Sequence, residues 1–283
     1  MQNIRTLWLS LGALLTILAT HVYPANIIFD MGDVLVETKY MRTILSIGIE
    51  KFAFHASTWN NPFKCHKKLF QFLDSIKPRA SGKVIVRDAH GHILPQLMVE
   101  WLSGTISPQN LLQIIRQSEG NFINWTEEAL VRSLAEMVFN PETFAKTFHF
   151  IDDAVRLAKE CKQAGHKIYI LSNWEPVSFT LLQEAYPEFF NLFDGIVISG
   201  DIGLVKPDPA IFKYILQNYR LDPSETLFID DQTENVEMAQ EMGIHSIRYA
   251  KKKGLIKSYH DFDVVREKIN NWLLLKDLAI AGQ

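Results

Sequence analysis

Apolar residues gather in short runs bounded by turn residues at five places, 26–29, 167–171, 195–199, 226–229 and 245–249. Runs this short and rich in Ile, Val, Leu and Phe predict strands buried on both faces. Between the later runs the apolar spacing lengthens to three and four residues, which predicts helices over 151–164, 177–185, 209–219 and 232–242. Strands alternating with helices make a parallel sheet covered on both sides, so the expected fold class is α/β with a Rossmann-like core. The first run stands apart from the rest. From 36 to 149 the pattern is mainly helical, with helices predicted at 57–73, 94–102, 107–117 and 126–139 and a hairpin pairing 84–86 with 93–94 around Ala89, His90 and Gly91. Connections within α/β units are only a few residues long, so this stretch is an inserted domain. The predicted organisation is a core built from 26–35 and 150–275, an inserted mainly helical domain at 36–149, a closing helix at 262–275 and a tail at 276–283.

Residues 1–25 are set outside this fold. The run 6–19 is uncharged and Leu-rich, is preceded by Arg5 and is interrupted afterwards by His21 and Pro24, which is the layout of a secretory signal. A spanning helix needs about 20 apolar residues. The expectation is therefore a cleaved signal and an exported protein, periplasmic or secreted in a bacterium. An uncleaved signal anchor is the alternative, because a cut after Ala25 places bulky Tyr23 where a small residue is wanted. A buried N-terminal helix is a third reading. The 283 residues, 47% hydrophobic and 22% charged, suffice for a large domain with an insertion. A net charge of −3 with neither sign in excess lacks the basic footprint of a nucleic-acid binder, so a small molecule is the expected partner. Cys161 shares an apolar helix face with Ile151, Ala154, Val155 and Ala158 and reads as a core residue. Cys65 lies in a distant region, and neither a disulfide nor a cysteine metal site is expected.

Ligands of open parallel sheets bind beyond the carboxyl ends of the strands. There the chain places Phe29-Asp30-Met31-Gly32-Asp33-Val34-Leu35 after the first run, Leu171-Ser172-Asn173 after the second and Phe228-Ile229-Asp230-Asp231 after the fourth. Gly203-Leu204-Val205-Lys206-Pro207-Asp208-Pro209 lies between the third and fourth runs. Taken singly, each has a plainer reading: a turn or cap aspartate, a capping serine, a solvated lysine. Together they bring three carboxylates, a hydroxyl and a lysine to one edge. In this order the residues resemble the four short motifs of the haloacid dehalogenase superfamily, with the insertion in the position of that family's cap. The closest pattern is a phosphatase-like subgroup that begins Phe-Asp-x-Gly-x-Val-Leu.

The resemblance implies a hydrolase of small phosphate monoesters, sugar phosphates among them, in which Asp30 is the nucleophile and becomes an aspartyl-phosphate that water hydrolyses. Ser172, Asn173 and Lys206 would bind the phosphate. Asp30, Asp231 and the carbonyl of Gly32 would hold Mg²⁺, an ion that takes hard oxygen ligands, and Asp230 and Asn235 would support the site. Most phosphatases of the family carry a general acid two residues after the nucleophile, and this chain has Gly32 there. The proton could come from Asp33 or a cap histidine (His55, His66, His90, His92), the substrate could have a good leaving group, or the enzyme could be slow or inactive. Two other functions are weighed. A 2-haloacid dehalogenase needs no metal, and the Asp230-Asp231 pair is a liability without a cation. A non-enzymatic exported binding protein would not need all four motifs. Lys64, His66, Lys67 and Lys68 near Trp59 and Phe63 read as a solvated helix face more readily than as a substrate contact.

Overall fold

The computed structural model describes residues 23–38, 62–82, 84–88, 91–249, 252–253, 258–259 and 261–281. The expected signal run, Trp59, His55 and His90 lie outside the described residues, as do the side chains of Lys64, Cys65 and His66.

The strands in chain order are β1 (Asn26–Phe29), β2 (Val36–Thr38), β3 (Phe148–Phe150), β4 (Lys167–Ser172), β5 (Gly195–Ile198), β6 (Thr226–Asp230), β7 (His245–Arg248), β8 (Lys252–Lys253) and β9 (Ser258–Tyr259). Five of them form one sheet in the order β5-β4-β1-β6-β7, every pairing parallel, with Phe29 opposite both Ile170 and Ile229. Alternate residues of these strands face opposite layers, as the period of two requires. Ile27, Phe29, Ile168, Ile170, Leu227 and Ile229 belong to one buried cluster. Ile28, Tyr169, Leu171, Val197 and Phe228 belong to the other. The continuous apolar runs are thus explained by burial on both faces.

The helices are α1 (Pro62–Ile76), α2 (Gln96–Leu102), α3 (Pro108–Gln117), α4 (Trp125–Phe139), α5 (Pro141–Ala145), α6 (Asp152–Gln163), α7 (Pro176–Ala185), α8 (Pro187–Phe190), α9 (Ser199–Ile202), α10 (Pro209–Tyr219), α11 (Thr233–Glu241) and α12 (Phe262–Ala281). One face of the sheet is covered by α6, through Leu157, Ala158 and a fully buried free Cys161, and by Val265, Ile269 and Leu273 of α12. The other face is covered by α10, through Ile211, Phe212 and Ile215, and by Ala239 of α11. Helices α1 to α4 enclose a separate apolar centre containing Leu73, Trp101, Leu111, Val131 and Phe139. No helix of the described residues is long and apolar enough to cross a membrane.

Four details depart from expectation. Both ends of the insertion pass through one antiparallel ladder, with Val36 opposite Phe150 and Thr38 opposite Phe148. Strands of three residues are too short to show an alternating pattern. The closing helix continues to Ala281, so residues 276–281 are not a tail. Lys276 there donates to the Pro24 carbonyl at 2.9 Å, tying the helix end to the start of the core. Ser199 begins α9 instead of ending β5. The expected 84–94 hairpin is reduced to a single bridge between Arg87 and Ile93, with the Leu94 N–H donating to the Val86 carbonyl.

The cap meets the core along a packed seam. Trp174, just beyond β4, packs against Phe148 with the ring centres 4.5 Å apart and the planes tilted by 51°. The Ser199 hydroxyl donates to the Leu102 carbonyl at 2.6 Å and accepts from the Trp174 N–H at 2.9 Å. Gly104 lies so close to Gly200 that a side chain on it would run into the Gly200 carbonyl.

Candidate active site

Parallel pairing sends the carboxyl ends of β4, β1 and β6 to one edge, and each ends in a candidate residue. Asp30 directly follows β1 and its N–H donates to the Ile229 carbonyl at 2.9 Å. Ser172 is the last residue of β4 and Asp230 the last of β6. Lys206 comes from the loop after α9, which turns on Gly203 at φ 74, a conformation open to glycine at little cost.

These residues converge. The Lys206 ammonium, 1% exposed, donates to Asp30 Oδ1 at 2.8 Å and to Asp230 Oδ2 at 2.6 Å. Asp230 is fully engaged: it also accepts from the Gln232 N–H at 2.8 Å, and the Asn235 amide donates to both its oxygens at 3.0 Å. The result is a buried chain, Asn235 to Asp230 to Lys206 to Asp30. Asp230, Asn235 and the Gln232 N–H hold the lysine, and the lysine holds Asp30. A buried ammonium between two carboxylates is tolerable only because its charge is compensated on both sides.

Charge in the site is unbalanced all the same. Asp30, Asp230 and Asp231 bring carboxylate oxygens within 4.8 Å of one another. Burial pushes the Asp30 carboxyl up to about 6, against the pull of Lys206 and with the push of Asp230. Burial, reinforced by the charges of Asp230, Asp30 and Asp33, pushes half-buried Asp231 up to about 9. For Lys206 burial works against the charge, but Asp230 and Asp30 outweigh it and the ammonium is held above its usual range. More negative charge is gathered here than one ammonium neutralises. With Asp230 committed to its three partners, Asp30 and Asp231 remain as hard oxygen donors, a set that fits a small divalent cation.

The other candidates fall as follows. Ser172 is buried beside Asp30, and its hydroxyl works to lower the Asp30 carboxyl against the effect of burial. The side-chain amide of Asn173, a residue expected at the phosphate, clasps the lysine loop, donating to the Lys206 carbonyl at 2.9 Å and accepting from the Lys206 N–H at 2.7 Å. Asp33 adopts φ 53 in the turn after Asp30, a left-handed conformation aspartate tolerates, and its charge is felt at Asp231 and Tyr249. Gly32 occupies the same turn, bridged to Val36. Asp208 caps α10, accepting from the Ala210 N–H at 2.8 Å. Among cap residues, His92 is bound to Asp88 at 3.1 Å and Lys68 to Glu127 at 2.9 Å. Glu175 lies outside the four motifs. Fully buried, it caps α7 through the Val177 and Ser178 N–H groups, and Pro176 at the first helical position was the available signal.

Comparison with known proteins agrees with this geometry. The haloacid dehalogenase-like hydrolase family matches residues 25–243. Sesquiterpene phosphatase astK of Aspergillus oryzae is 36% identical over 88 residues, covering 31% of this chain and 44% of that protein. D-ribitol-5-phosphate phosphatase of Bacteroides thetaiotaomicron is 31% identical over 91 residues, 30% of this chain and 43% of that one. The chain thus spans less than half the length of these two relatives. A crystal structure of a HAD family enzyme from Bacteroides thetaiotaomicron superposes with a TM-score of 0.54 at 20% identity, covering 86% of this chain and 98% of its own.

Proposed function

The chain belongs to the haloacid dehalogenase-like hydrolases, and on that premise we propose that it is a Mg²⁺-dependent phosphatase of small phosphate monoesters that uses Asp30 as its nucleophile. The observation that carries this reading is the group of three carboxylates built around the single Lys206 ammonium. Such a group is costly alone and useful beside a cation and a phosphate. A 2-haloacid dehalogenase would gain nothing from it. The two phosphatase relatives support the same choice, and the ribitol-phosphate enzyme among them favours sugar phosphates as the class to try first.

Asp30 and Asp231 would hold the ion. Bound there, Mg²⁺ supplies neutralisation of charge between carboxylate and phosphate dianion and orientation of the ester. Lys206 fixes Asp30 through Oδ1, leaving Oδ2 as the attacking atom. As Oδ2 bonds to phosphorus, the ester P–O bond breaks and the alcohol oxygen leaves with its electron pair, taking up a proton. Lys206 and Ser172 stand beside the point where charge grows on the phosphoryl oxygens, where fixed donors lower the barrier most. Water would then attack phosphorus, giving up a proton to solvent as the Asp30–phosphorus bond breaks, so that phosphate is released and the free carboxylate restored. The run 6–19 adds the proposal that the chain is exported, which a fusion of residues 1–40 to a reporter active only outside the cytoplasm would test.

The functional test is phosphate release from a panel of sugar, alkyl and aryl phosphates. Turnover is expected with Mg²⁺, to vanish in excess chelator and to return on adding Mg²⁺ back. Undiminished turnover in chelator, or halide release from 2-haloacids, would overturn the proposal.

A further inference from the structure

A loop and a helix that carry site residues are gripped from outside by the same piece of the cap. Residues 84–88 and 91–94, between α1 and α2, reach over the core. Val86 and Leu94, with Phe70 of α1, close over Val205, the residue before Lys206. Nearby, Arg87 Nε pairs with Glu234 Oε1 at 2.7 Å. Glu234 lies in the first turn of α11, one residue before Asn235, whose amide holds both oxygens of Asp230. Arg87 is itself braced, donating from Nη1 to the Gly91 carbonyl at 2.9 Å, and the Asp88 N–H donates to the His92 carbonyl at 2.9 Å. The cap thus touches the immediate chain neighbours of both Lys206 and Asn235, the cation and the outer end of the buried chain that orients Asp30.

The geometry points to Arg87 as a positioning residue: paired with Glu234 while its own segment covers Val205, it fixes the first turn of α11 relative to the lysine loop and so keeps Lys206 between Asp30 and Asp230. The pair is partly exposed, with 31% of the arginine and 42% of the glutamate side chain accessible, so it contributes little to global stability. Its effect lies in placement. Hydrogen bonds of 2.6 and 2.8 Å from one ammonium do not survive a shift of about 1 Å, and misplacements of that size cost up to about 100-fold in rate. The inference rests on the phosphatase reading for its kinetic consequence and on the contacts alone for its structural one.

The test compares Arg87→Glu, Glu234→Arg and the double charge swap, with Arg156→Glu, from the exposed Arg156–Asp153 pair on α6, as control. With p-nitrophenyl phosphate and saturating Mg²⁺, each single change is expected to lower kcat by about tenfold with KM within about threefold. The swap should recover most of the loss, and the control should match wild type. Amide hydrogen exchange of residues 203–206 and 232–236 should quicken in Arg87→Glu and slow again in the swap. A wild-type kcat in the single variants, a change in KM alone, or a swap no better than its parents would overturn the assignment. Should the wild-type protein hydrolyse no phosphate ester, the phosphatase reading falls, and the exchange data still decide: unchanged exchange in Arg87→Glu overturns the clamp.

Discussion

At Gly32 the site leaves room where a side chain would be useful. A Cβ built there meets nothing nearer than Asp30 Oδ2 at 4.0 Å, so the backbone leaves room for a side chain to start. If the leaving oxygen now departs without a dedicated acid, Gly32→Asp should raise alkyl-phosphate hydrolysis by about tenfold or more and flatten the dependence of rate on leaving-group pKa, with aryl phosphates little changed. No gain in Gly32→Asp, joined to a selective loss on alkyl phosphates in Asp33→Asn, would assign the proton to Asp33. At this scale much of the site was legible, because Asp30, Ser172, Asp230 and Asp231 each mark the end of a strand and a sheet edge gathers strand ends. The role of Asn173 was not: that its amide would close on the backbone of Lys206 depends on how two loops fold against each other. Nothing local to Arg87 or Glu234 reveals their pairing either.

The elements whose outlines the sequence showed are those with a strong period or a cap. Helix α3 opens with Ser107 accepting from the Asn110 N–H and α4 with Asn124 accepting from the Glu127 N–H, and both lie within a residue of expectation. The β2–β3 ladder and the short α5 and α8 went unseen because three to five residues carry no period. The seam between cap and core was also silent, yet it is where one atom decides. Gly104 has φ 69 and faces the Gly200 carbonyl, so Gly104→Ala is both strained and overpacked. It should destabilise the fold by about 1–3 kcal/mol in a urea titration. An unchanged midpoint would mean that cap and core do not meet there. The same change should reduce turnover, since α2 and α9 are joined through Leu102 and Ser199 beside the Trp174 loop.

Across the whole molecule, the balance of charge links stability, pH and cation. Without an ion, the folded chain holds protons on Asp30 up to about 6 and on Asp231 up to about 9, whereas the unfolded chain releases them near 3.8. A raised carboxyl pKa favours the folded state at low pH, so ion-free stability should be greatest below about pH 4, as far as these two groups are concerned, and should fall as pH rises toward about 9. Mg²⁺ bound at these carboxylates would replace those protons, and its stabilising effect should grow over the same range. Thermal melts at about pH 6 and pH 8.5, with and without Mg²⁺, should show the larger gain in Tm at the higher pH. An equal gain at both would mean that the ion does not bind at these carboxylates. If Asp30 performs the chemistry on a scaffold that stands without it, phosphate release by Asp30→Asn should fall at least about 10³-fold below wild type in saturating Mg²⁺, with cooperative unfolding retained. A folded Asp30→Asn protein that releases phosphate at the wild-type rate would mean that another group is the nucleophile.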